Sequence, residues 1–183
     1  MSRISTPATI EAAPAAAQPL LEAVKQQLGS VPNLFRLTAT SPAALEGYLS
    51  LNGALGNGAL NAATRERIAL AVSQVNGCGY CLAAHTYLAK NLAKLDDAEI
   101  ASNRSGQSKD AKADAAVRFA TKIARERGAV NDADFAATRA AGYSDAEIVE
   151  IVAHVALTTL TNYINEVFKT NIDFPIVPVQ LAA

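Results

Sequence analysis

Two cysteines and a histidine are spaced in this 183-residue sequence so that they could carry out thiol chemistry. The segment Cys78-Gly79-Tyr80-Cys81 holds both cysteines of the chain, and His85 follows four residues after Cys81. On a helix, positions 78, 81 and 85 share one face because they are related by i, i+3 and i+7. The partial positive charge at a helix N-terminus favours a thiolate, and an adjacent histidine can accept the thiol proton. The spacing therefore predicts a reactive dithiol.

A glutamate upstream of the cysteines could complete a proton relay. If Asn76-Gly77 forms the turn of a helical hairpin, Glu66 lies roughly 15 Å before the turn and His85 roughly 12 Å after it. The two side chains could then face each other across the hairpin. The expected order in space is Glu66, His85, Cys81, Cys78, which suits a relay that feeds protons to and from a dithiol.

The same residues are also compatible with functions other than thiol chemistry. A CxxC pair could be half of a zinc site, but the site would have to recruit His154 from a remote helix. A c-type haem motif is excluded because Leu82, not histidine, follows the second cysteine. The cysteines could also be inert core thiols. His154 itself lies among apolar residues and is expected to be a buried, hydrogen-bonded core residue.

Helix caps and helix breakers predict an all-α fold. The sequence has 39 alanines and no tryptophan, and alanine is the best helix former. Ser144 with Glu147, and Asp96 with Glu99, have the spacing of capping boxes. No segment shows the β-branched alternation of a strand. The predicted helices span about 19–28, 42–55, 61–75, 78–92, a short helix from 96, 109–127, 132–141 and 144–170.

The predicted organisation is one helical domain between two irregular ends. Residues 1–18 are rich in alanine and proline and are expected to form a flexible or clasping arm. Residues 19–171 form the helical domain. Residues 172–183 are expected to form an extended tail that contains several apolar side chains. We expect this tail to pack on the body or on a neighbouring subunit, which weakly indicates a homo-oligomer.

The composition limits the kinds of binding partner and the cellular compartment that we expect for the protein. The 16 lysines and arginines nearly balance the 17 aspartates and glutamates, giving a net charge of −1, so we expect neither nucleic-acid nor anionic-membrane binding. No apolar run approaches the roughly 18 residues needed to span a bilayer. We find no signal peptide. With only two cysteines, a reducing cytoplasm is the expected location.

The pattern Glu66-x11-Cys78-x2-Cys81-x3-His85 resembles the signature of the AhpD-like alkylhydroperoxidases in the carboxymuconolactone decarboxylase superfamily. Further segments resemble the peroxidase-related branch of that group, and the similarity covers about residues 20–175. These segments are Asn33-Leu34-Phe35, Ser41-Pro42, the alanine-rich stretch 115–124, Ala141-Gly142-Tyr143-Ser144 and Asn162-Tyr163-x-Asn165.

The resemblance implies an all-α fold that assembles into trimers or hexamers, and a thiol peroxidase that needs no metal, haem or other cofactor. It implies that Cys81 is the attacking thiolate, that Cys78 is the resolving thiol, and that Glu66 and His85 relay protons. The partners it implies are a peroxide substrate and a thiol reductant protein, either thioredoxin-like or dihydrolipoyl-bearing. Tyr80 replaces a histidine of the best-known member and is an auxiliary candidate for the relay.

The C-terminal half could repeat the first helix pair with its site erased. Aligning Glu66 with Glu147 places Thr159, Asn162 and Glu166 at the offsets of Cys78, Cys81 and His85. The hypothesis predicts that residues 62–90 superpose on residues 143–171.

The sequence is compatible with three functions. The leading hypothesis is a peroxide-reducing dithiol enzyme. The second is a non-catalytic redox-sensing module whose oligomer changes when Cys78 and Cys81 pair. The third is a cofactor-free lactone or proton-transfer enzyme of the carboxymuconolactone decarboxylase type that uses Glu66 and His85. Which cysteine attacks is left open by the sequence, since Cys78 lies nearer the helix start.

Overall fold

The computed structural model describes residues 2–179, and in this range all regular structure is helical, as predicted. A short 3-10 helix, Ala15–Ala17, precedes nine α-helices. The α-helices are α1 (Gln18–Leu28), α2 (Asn33–Thr38), α3 (Pro42–Gly56), α4 (Ala62–Val75), α5 (Gly79–Asn91), α6 (Asp97–Arg104), α7 (Ala111–Glu126), α8 (Asp132–Ala140) and α9 (Asp145–Phe168).

Helix α4 lies at the centre of the fold and contacts α5, α6, α7 and α9. Its small and branched side chains are buried on several faces, as expected for a helix that is surrounded by others. The main core joins α4, α7 and α9. Its buried members include Ile68, Val72, Phe119, Ile123, Ile148 and Ile151.

The turn between α4 and α5 forms as the sequence predicts. Asn61 caps the start of α4 by accepting a hydrogen bond from the backbone of Thr64. Gly77 has a φ of +66°, a conformation that glycine adopts without strain. The chain then reverses, and α5 returns along α4. This hairpin sets the distance between Glu66 and the CxxC segment.

The predicted internal repeat is wrong, because the structure of α9 does not match it. The segment that was expected to mirror α4 and α5 is one uninterrupted helix of 24 residues. At the offsets of Asn76 and Gly77 the second half has Leu157 and Thr158, which do not break a helix. No second helix pair exists there, so residues 143–171 cannot superpose on the hairpin. Helix α2 is a further difference, because the sequence analysis did not predict it.

Both ends of the described range pack on the body. The backbone of Arg3 donates a hydrogen bond to the carbonyl of Phe168 at 2.7 Å, and Ala13 and Ala17 are buried beside α1 and α3. Residues 171–179 have no regular structure and run beside α5, where Phe174 contacts the rings of Tyr80 and Tyr87. The last four residues of the expected tail lie outside the described residues.

Candidate active site

The structure brings Glu66 and His85 together across the α4–α5 hairpin. Glu66 Oε2 lies 2.9 Å from His85 Nδ1, and both side chains are about one-fifth to one-quarter exposed, at 21% and 24%. Burial alone would lower the pKa of His85, but the charge and hydrogen bond of Glu66 outweigh burial, and the net effect raises this pKa. The pair can therefore hold a proton on the imidazole and deliver it to a neighbouring atom.

Cys81 lies in an environment that favours its thiolate. Burial would raise the pKa of Cys81, since the residue is only 2% exposed. A hydrogen bond from Cys78, the positive charge of His85 and hydrogen bonds from Asn165 and Asn162 act in the opposite direction and lower this pKa to about 7. The Asn165 amide nitrogen lies 3.3 Å from Cys81 Sγ. Thus a substantial fraction of Cys81 is ionised at neutral pH.

Cys78 is the N-cap residue of α5, and its sulfur accepts a hydrogen bond from the backbone N–H of Cys81 at 3.3 Å. Its own thiol donates to the sulfur of Cys81. This hydrogen bond, followed by burial, raises the pKa of Cys78 well above its ordinary value. Both thiols are free and buried, and Cys78 is not the more exposed of the two. The two cysteines are therefore chemically unequal, since the pKa is lowered at Cys81 and raised at Cys78.

Tyr80 lies in the same segment but makes its hydrogen bonds elsewhere. Its hydroxyl accepts from the backbone N–H of Leu34 at 3.1 Å and donates to Asp173 Oδ1 at 2.8 Å. The ring is buried and packs edge-on against Phe174. Tyr80 thus joins α5 to α2 and to the C-terminal segment, while His85 and Glu66 pair with each other.

Sequence reasoning did not select three residues that surround the site. Asn162 and Asn165 are buried on α9, and Asn162 is held by hydrogen bonds with Asn76 and Ser73. Two asparagines three positions apart inside an apolar helix are a usable signal, because asparagine is unfavourable in helix interiors. Tyr48 on α3 lies close enough for Cys81 and Glu66 to act on it. Burial has the largest effect and raises the pKa of the Tyr48 hydroxyl, and the charges of Cys81 and Glu66 raise it further. No pattern in the sequence indicates Tyr48.

A cavity of about 510 Å³ opens beside the Glu66–His85 pair. It is bounded by α1, α3, α4, α5 and α9, and Tyr48 and His154 also line it. His154 is buried at 7% exposure, as predicted, but its Nε2 is fully buried and has no hydrogen-bond partner among the described residues. This cavity reaches the predicted proton relay.

The positions of the cysteines and histidines bear on whether the CxxC pair could be half of a zinc site. Within residues 2–179, no three histidine, cysteine, aspartate or glutamate side chains are grouped so that they could hold a metal ion. His154 lines the cavity with Glu66 and His85 and does not join the cysteine pair in a ligand cluster.

Solved structures share this fold along nearly the whole chain. An uncharacterized peroxidase-related protein of Ralstonia eutropha JMP134, described as an alkylhydroperoxidase AhpD core, is 26% identical with a TM-score of 0.84, covering 94% of this chain and 92% of its own. An uncharacterized peroxidase-related protein of Silicibacter sp. TM1040 is 25% identical with a TM-score of 0.80, covering 93% and 91%. The debrominase Bmp8 in complex with 2,3,4-tribromopyrrole is 19% identical with a TM-score of 0.78, covering 94% of each chain, and shares the fold. The protein is thus of the AhpD-like helical class.

The family model of the carboxymuconolactone decarboxylase family matches residues 42–126, which run from α3 through α7 and include the hairpin. Together with the shared fold, this match, which covers less than half of the chain, supports assignment of the chain to the AhpD/carboxymuconolactone decarboxylase superfamily. None of the curated proteins matches the sequence. Among residues 2–179, the helices are all too short or too polar to cross a membrane. Because one fold hosts several chemistries, the reaction must be argued from the site.

Proposed function

We propose that the protein is a thiol-dependent peroxidase that reduces hydroperoxides through a Cys78–Cys81 dithiol/disulfide cycle. The observation that carries this proposal is the hydrogen bond between Glu66 and His85, together with a Cys81 thiol whose pKa is lowered to about 7 partly by the charge of His85. The thiolate is the nucleophilic form of cysteine, and a pKa near ambient pH combines a large thiolate fraction with strong nucleophilicity.

In the proposed reaction, the Cys81 thiolate attacks the outer oxygen of the hydroperoxide and breaks the O–O bond. Cys81 becomes a sulfenic acid, and the alkoxide leaves with the proton that His85 holds. The Cys78 thiol then attacks the sulfur of the sulfenic acid, which forms the disulfide and releases water. Glu66 fixes the imidazole and stabilises its protonated form until the proton is delivered to the alkoxide.

The inequality of the two thiols supports the assignment of their roles. A thiol that attacks a peroxide has to be ionised, and Cys81 meets this condition at neutral pH. Cys78 stays protonated, because its raised pKa keeps the hydrogen on sulfur until Cys81 is oxidised and no longer accepts that hydrogen bond. Cys81 does not line the cavity beside His85 and is nearly enclosed, so a local movement is needed for a peroxide to reach it.

The cycle closes with a dithiol reductant, which we take to be a thioredoxin-like or dihydrolipoyl-bearing protein. It gives two electrons and two protons to the disulfide and is itself oxidised to a disulfide. Assembly into a homo-oligomer, a trimer or hexamer, is part of the proposal. It is supported by an exposed apolar stripe along α9, which consists of Val149, Val152, Leu160, Tyr163 and Val167.

The test is peroxide consumption with a thiol reductant by the wild type and by Cys81→Ser and Cys78→Ser. We expect Cys81→Ser to abolish turnover of cumene hydroperoxide, and Cys78→Ser to permit one turnover before it stalls. Retained turnover in Cys81→Ser would refute the assignment. Negligible turnover with a disulfide-dependent change in oligomer size would instead support a redox sensor. Activity on a lactone in the double Cys→Ser variant would support the proton-transfer enzyme.

A further inference from the structure

Cys78 is fully enclosed although it directly follows a turn. The chain reverses at Gly77, and turns ordinarily lie at the surface of a protein, yet Cys78 is 0% exposed. It belongs to a buried cluster that consists of Leu34, Cys78, Tyr80 and Cys81. Phe174, which follows α9 in the chain, packs against this cluster. The burial of the CxxC segment therefore depends partly on residues outside the helical body.

Residues 171–179, which we call the C-terminal strap, cross the start of α5 without regular structure. A Cβ atom at Gly79 would lie 3.5 Å from Val179 Cγ2 and 3.7 Å from Ile172 Cδ1, so both halves of the strap reach the residue next to Cys78. Between them, the ring of Phe174 lies 5.8 Å from the ring of Tyr80, measured between centroids. The strap thus covers the CxxC segment with apolar side chains.

Hydrogen bonds hold the strap at both ends, and they come from different helices. Near its start, Asp173 Oδ2 accepts from the backbone N–H of Asn33 at 2.7 Å, and Oδ1 accepts from the hydroxyl of Tyr80 at 2.8 Å. Near its end, the carbonyl of Pro178 accepts from the guanidinium of Arg104 on α6 at 2.5 Å. The strap is therefore fastened on both sides of the CxxC segment.

The strap itself is held by few buried contacts. Residues 171–173, 175, 176 and 178 are exposed, and Ile176 is 79% exposed. Segments with few buried contacts open locally at a lower free energy than global unfolding requires. The strap can therefore lift from α5 while the helices stay folded.

Regeneration of the dithiol requires access to the sulfur of Cys78. A reductant thiolate that attacks one sulfur of the Cys78–Cys81 disulfide expels the other as a thiolate, and the thiol of lower pKa leaves faster. The pKa is lowered to about 7 at Cys81 and raised at Cys78, so attack at Cys78 is favoured. This attack forms a mixed disulfide and releases the Cys81 thiolate. The second thiol of the reductant then closes the reductant's own disulfide and releases Cys78, which takes up a proton.

We propose that the C-terminal strap is a cover over the resolving cysteine, closed in this structure, and that it must lift before a dithiol reductant can attack the Cys78 sulfur. The proposal rests on the proposed function, since it concerns the disulfide of the same cycle. None of residues 171–179 lines the cavity beside Glu66 and His85. The strap should therefore control reduction of the disulfide and not proton delivery by the relay.

The experiment measures reduction of the disulfide by dithiothreitol in the full-length protein. The disulfide is made with diamide, which takes two electrons and two protons from the dithiol, so the measurement does not depend on peroxide turnover. Asp173→Ala removes both hydrogen bonds at the start of the strap and should speed reduction by about tenfold. Phe174→Ala removes the ring contacts with α5 and should speed reduction by a similar factor.

Three control variants test whether the strap is the cause. Asp173→Asn removes the charge, but its amide can accept from Asn33 N–H and donate to the Tyr80 oxygen, so reduction should stay close to the wild-type rate. Ile176→Ala changes the strap at an exposed position and should have no effect. Ile123→Val weakens the core at α7, away from the strap, and should also have no effect.

The outcomes that would overturn the proposal follow from these variants. One is an unchanged rate in either Asp173→Ala or Phe174→Ala. Another is equal acceleration in Asp173→Asn and Asp173→Ala, which would show that loss of charge speeds the approach of the anionic thiolate. Equal acceleration in Ile123→Val would show that general destabilisation is the cause.

Peroxide turnover measured in parallel separates this proposal from the proposed function. Faster reduction in Asp173→Ala, in a protein that consumes no peroxide, would support the strap as a cover and refute the peroxidase. Peroxide turnover with unchanged reduction by dithiothreitol would refute the role of the strap and leave the peroxidase proposal intact.

Discussion

Asn165 of α9 donates a hydrogen bond to the sulfur of Cys81, with 3.3 Å between the amide nitrogen and Sγ. The contact joins residues 84 positions apart and ties the nucleophile to the helix that also forms one wall of the cavity. The site is thus not confined to the α4–α5 hairpin. Helix α9 supplies part of the electrostatic stabilisation that the thiolate needs in a buried position.

Replacement of Asn165 should therefore weaken the nucleophile. Asn165→Leu removes a hydrogen bond to a charged sulfur, worth about 1.5–3 kcal/mol, so we expect the pKa of Cys81 to rise by roughly one to two units. Thiolate absorbance and the rate of alkylation against pH would measure the change. Ala146→Ser, exposed on the same helix and outside its apolar stripe, is the matched control. An unchanged titration in Asn165→Leu would show that the amide does not stabilise the thiolate.

The pH dependence of peroxide reduction should be bell-shaped. Activity should rise through about pH 7 as Cys81 loses its proton, because its pKa is lowered to about 7. It should fall again at higher pH, above the raised pKa of His85, because a deprotonated imidazole cannot protonate the alkoxide. The measurement is kcat/KM against pH with cumene hydroperoxide.

Glu66→Gln should shift the alkaline side of the profile of kcat/KM against pH. Glu66 raises the pKa of His85 through its charge and hydrogen bond, so its neutral replacement should lower the pH at which activity falls. NMR titration of His85 gives the same pKa independently of turnover. A His85 pKa that stays the same in Glu66→Gln would remove the carboxylate from the relay.

Tyr80→Phe should affect stability more than catalysis. Loss of the hydroxyl leaves the buried N–H of Leu34 without its partner and removes one of the hydrogen bonds that hold Asp173, which should cost about 1–3 kcal/mol of unfolding free energy. Hydrogen exchange in residues 171–179 should become faster, whereas kcat/KM should change little. Asp173→Ala should loosen the same segment. A loss of activity in Tyr80→Phe as large as that in a His85→Ala variant would place the phenol in the relay.

His154 should make the folded state sensitive to acid. Its pKa is about 4 in the fold and about 6.5 in the unfolded chain, so between these values the unfolded chain binds a proton that the folded protein does not. The wild type should lose about 2–3 kcal/mol from this source between pH 7 and pH 4.5, and His154→Gln should not. Urea unfolding at both pH values measures the difference, with Ala146→Ser, at an exposed position of α9 outside the apolar stripe, expected to follow the wild type. Equal losses in all three proteins would contradict the low pKa.

The helices and the hairpin could be predicted because they depend on local signals. Asn61 and Ser144 accept hydrogen bonds at helix starts, and Gly77 reverses the chain, each through chemistry that a short segment reveals. The contact between Glu66 and His85 followed from the length of the two helical arms. The internal repeat was wrong because similar spacing in α9 carries no turn residue, so the helix continues.

The remaining parts of the site depend on tertiary packing. Asn165 reaches Cys81, and Tyr48 reaches the cavity, only because α9 and α3 dock beside the hairpin. The two asparagines of α9 indicate a polar position in the sequence, but no residue spacing indicates which side chains Asn165 and Tyr48 contact. His154 was correctly expected to be buried, but its missing partner is a property of the surrounding cavity and cannot be read from neighbours in the sequence.

The most direct test of the central claim is to trap the oxidised cysteine. Cys78→Ser and Cys81→Ser would each be treated with one equivalent of cumene hydroperoxide and a sulfenic-acid probe, and the labelled residue located by mass spectrometry. The account predicts labelling of Cys81 in Cys78→Ser and no labelling in Cys81→Ser, with an intramolecular disulfide in the wild type. Labelling of Cys78 in Cys81→Ser, at a rate equal to that of the other variant, would contradict it.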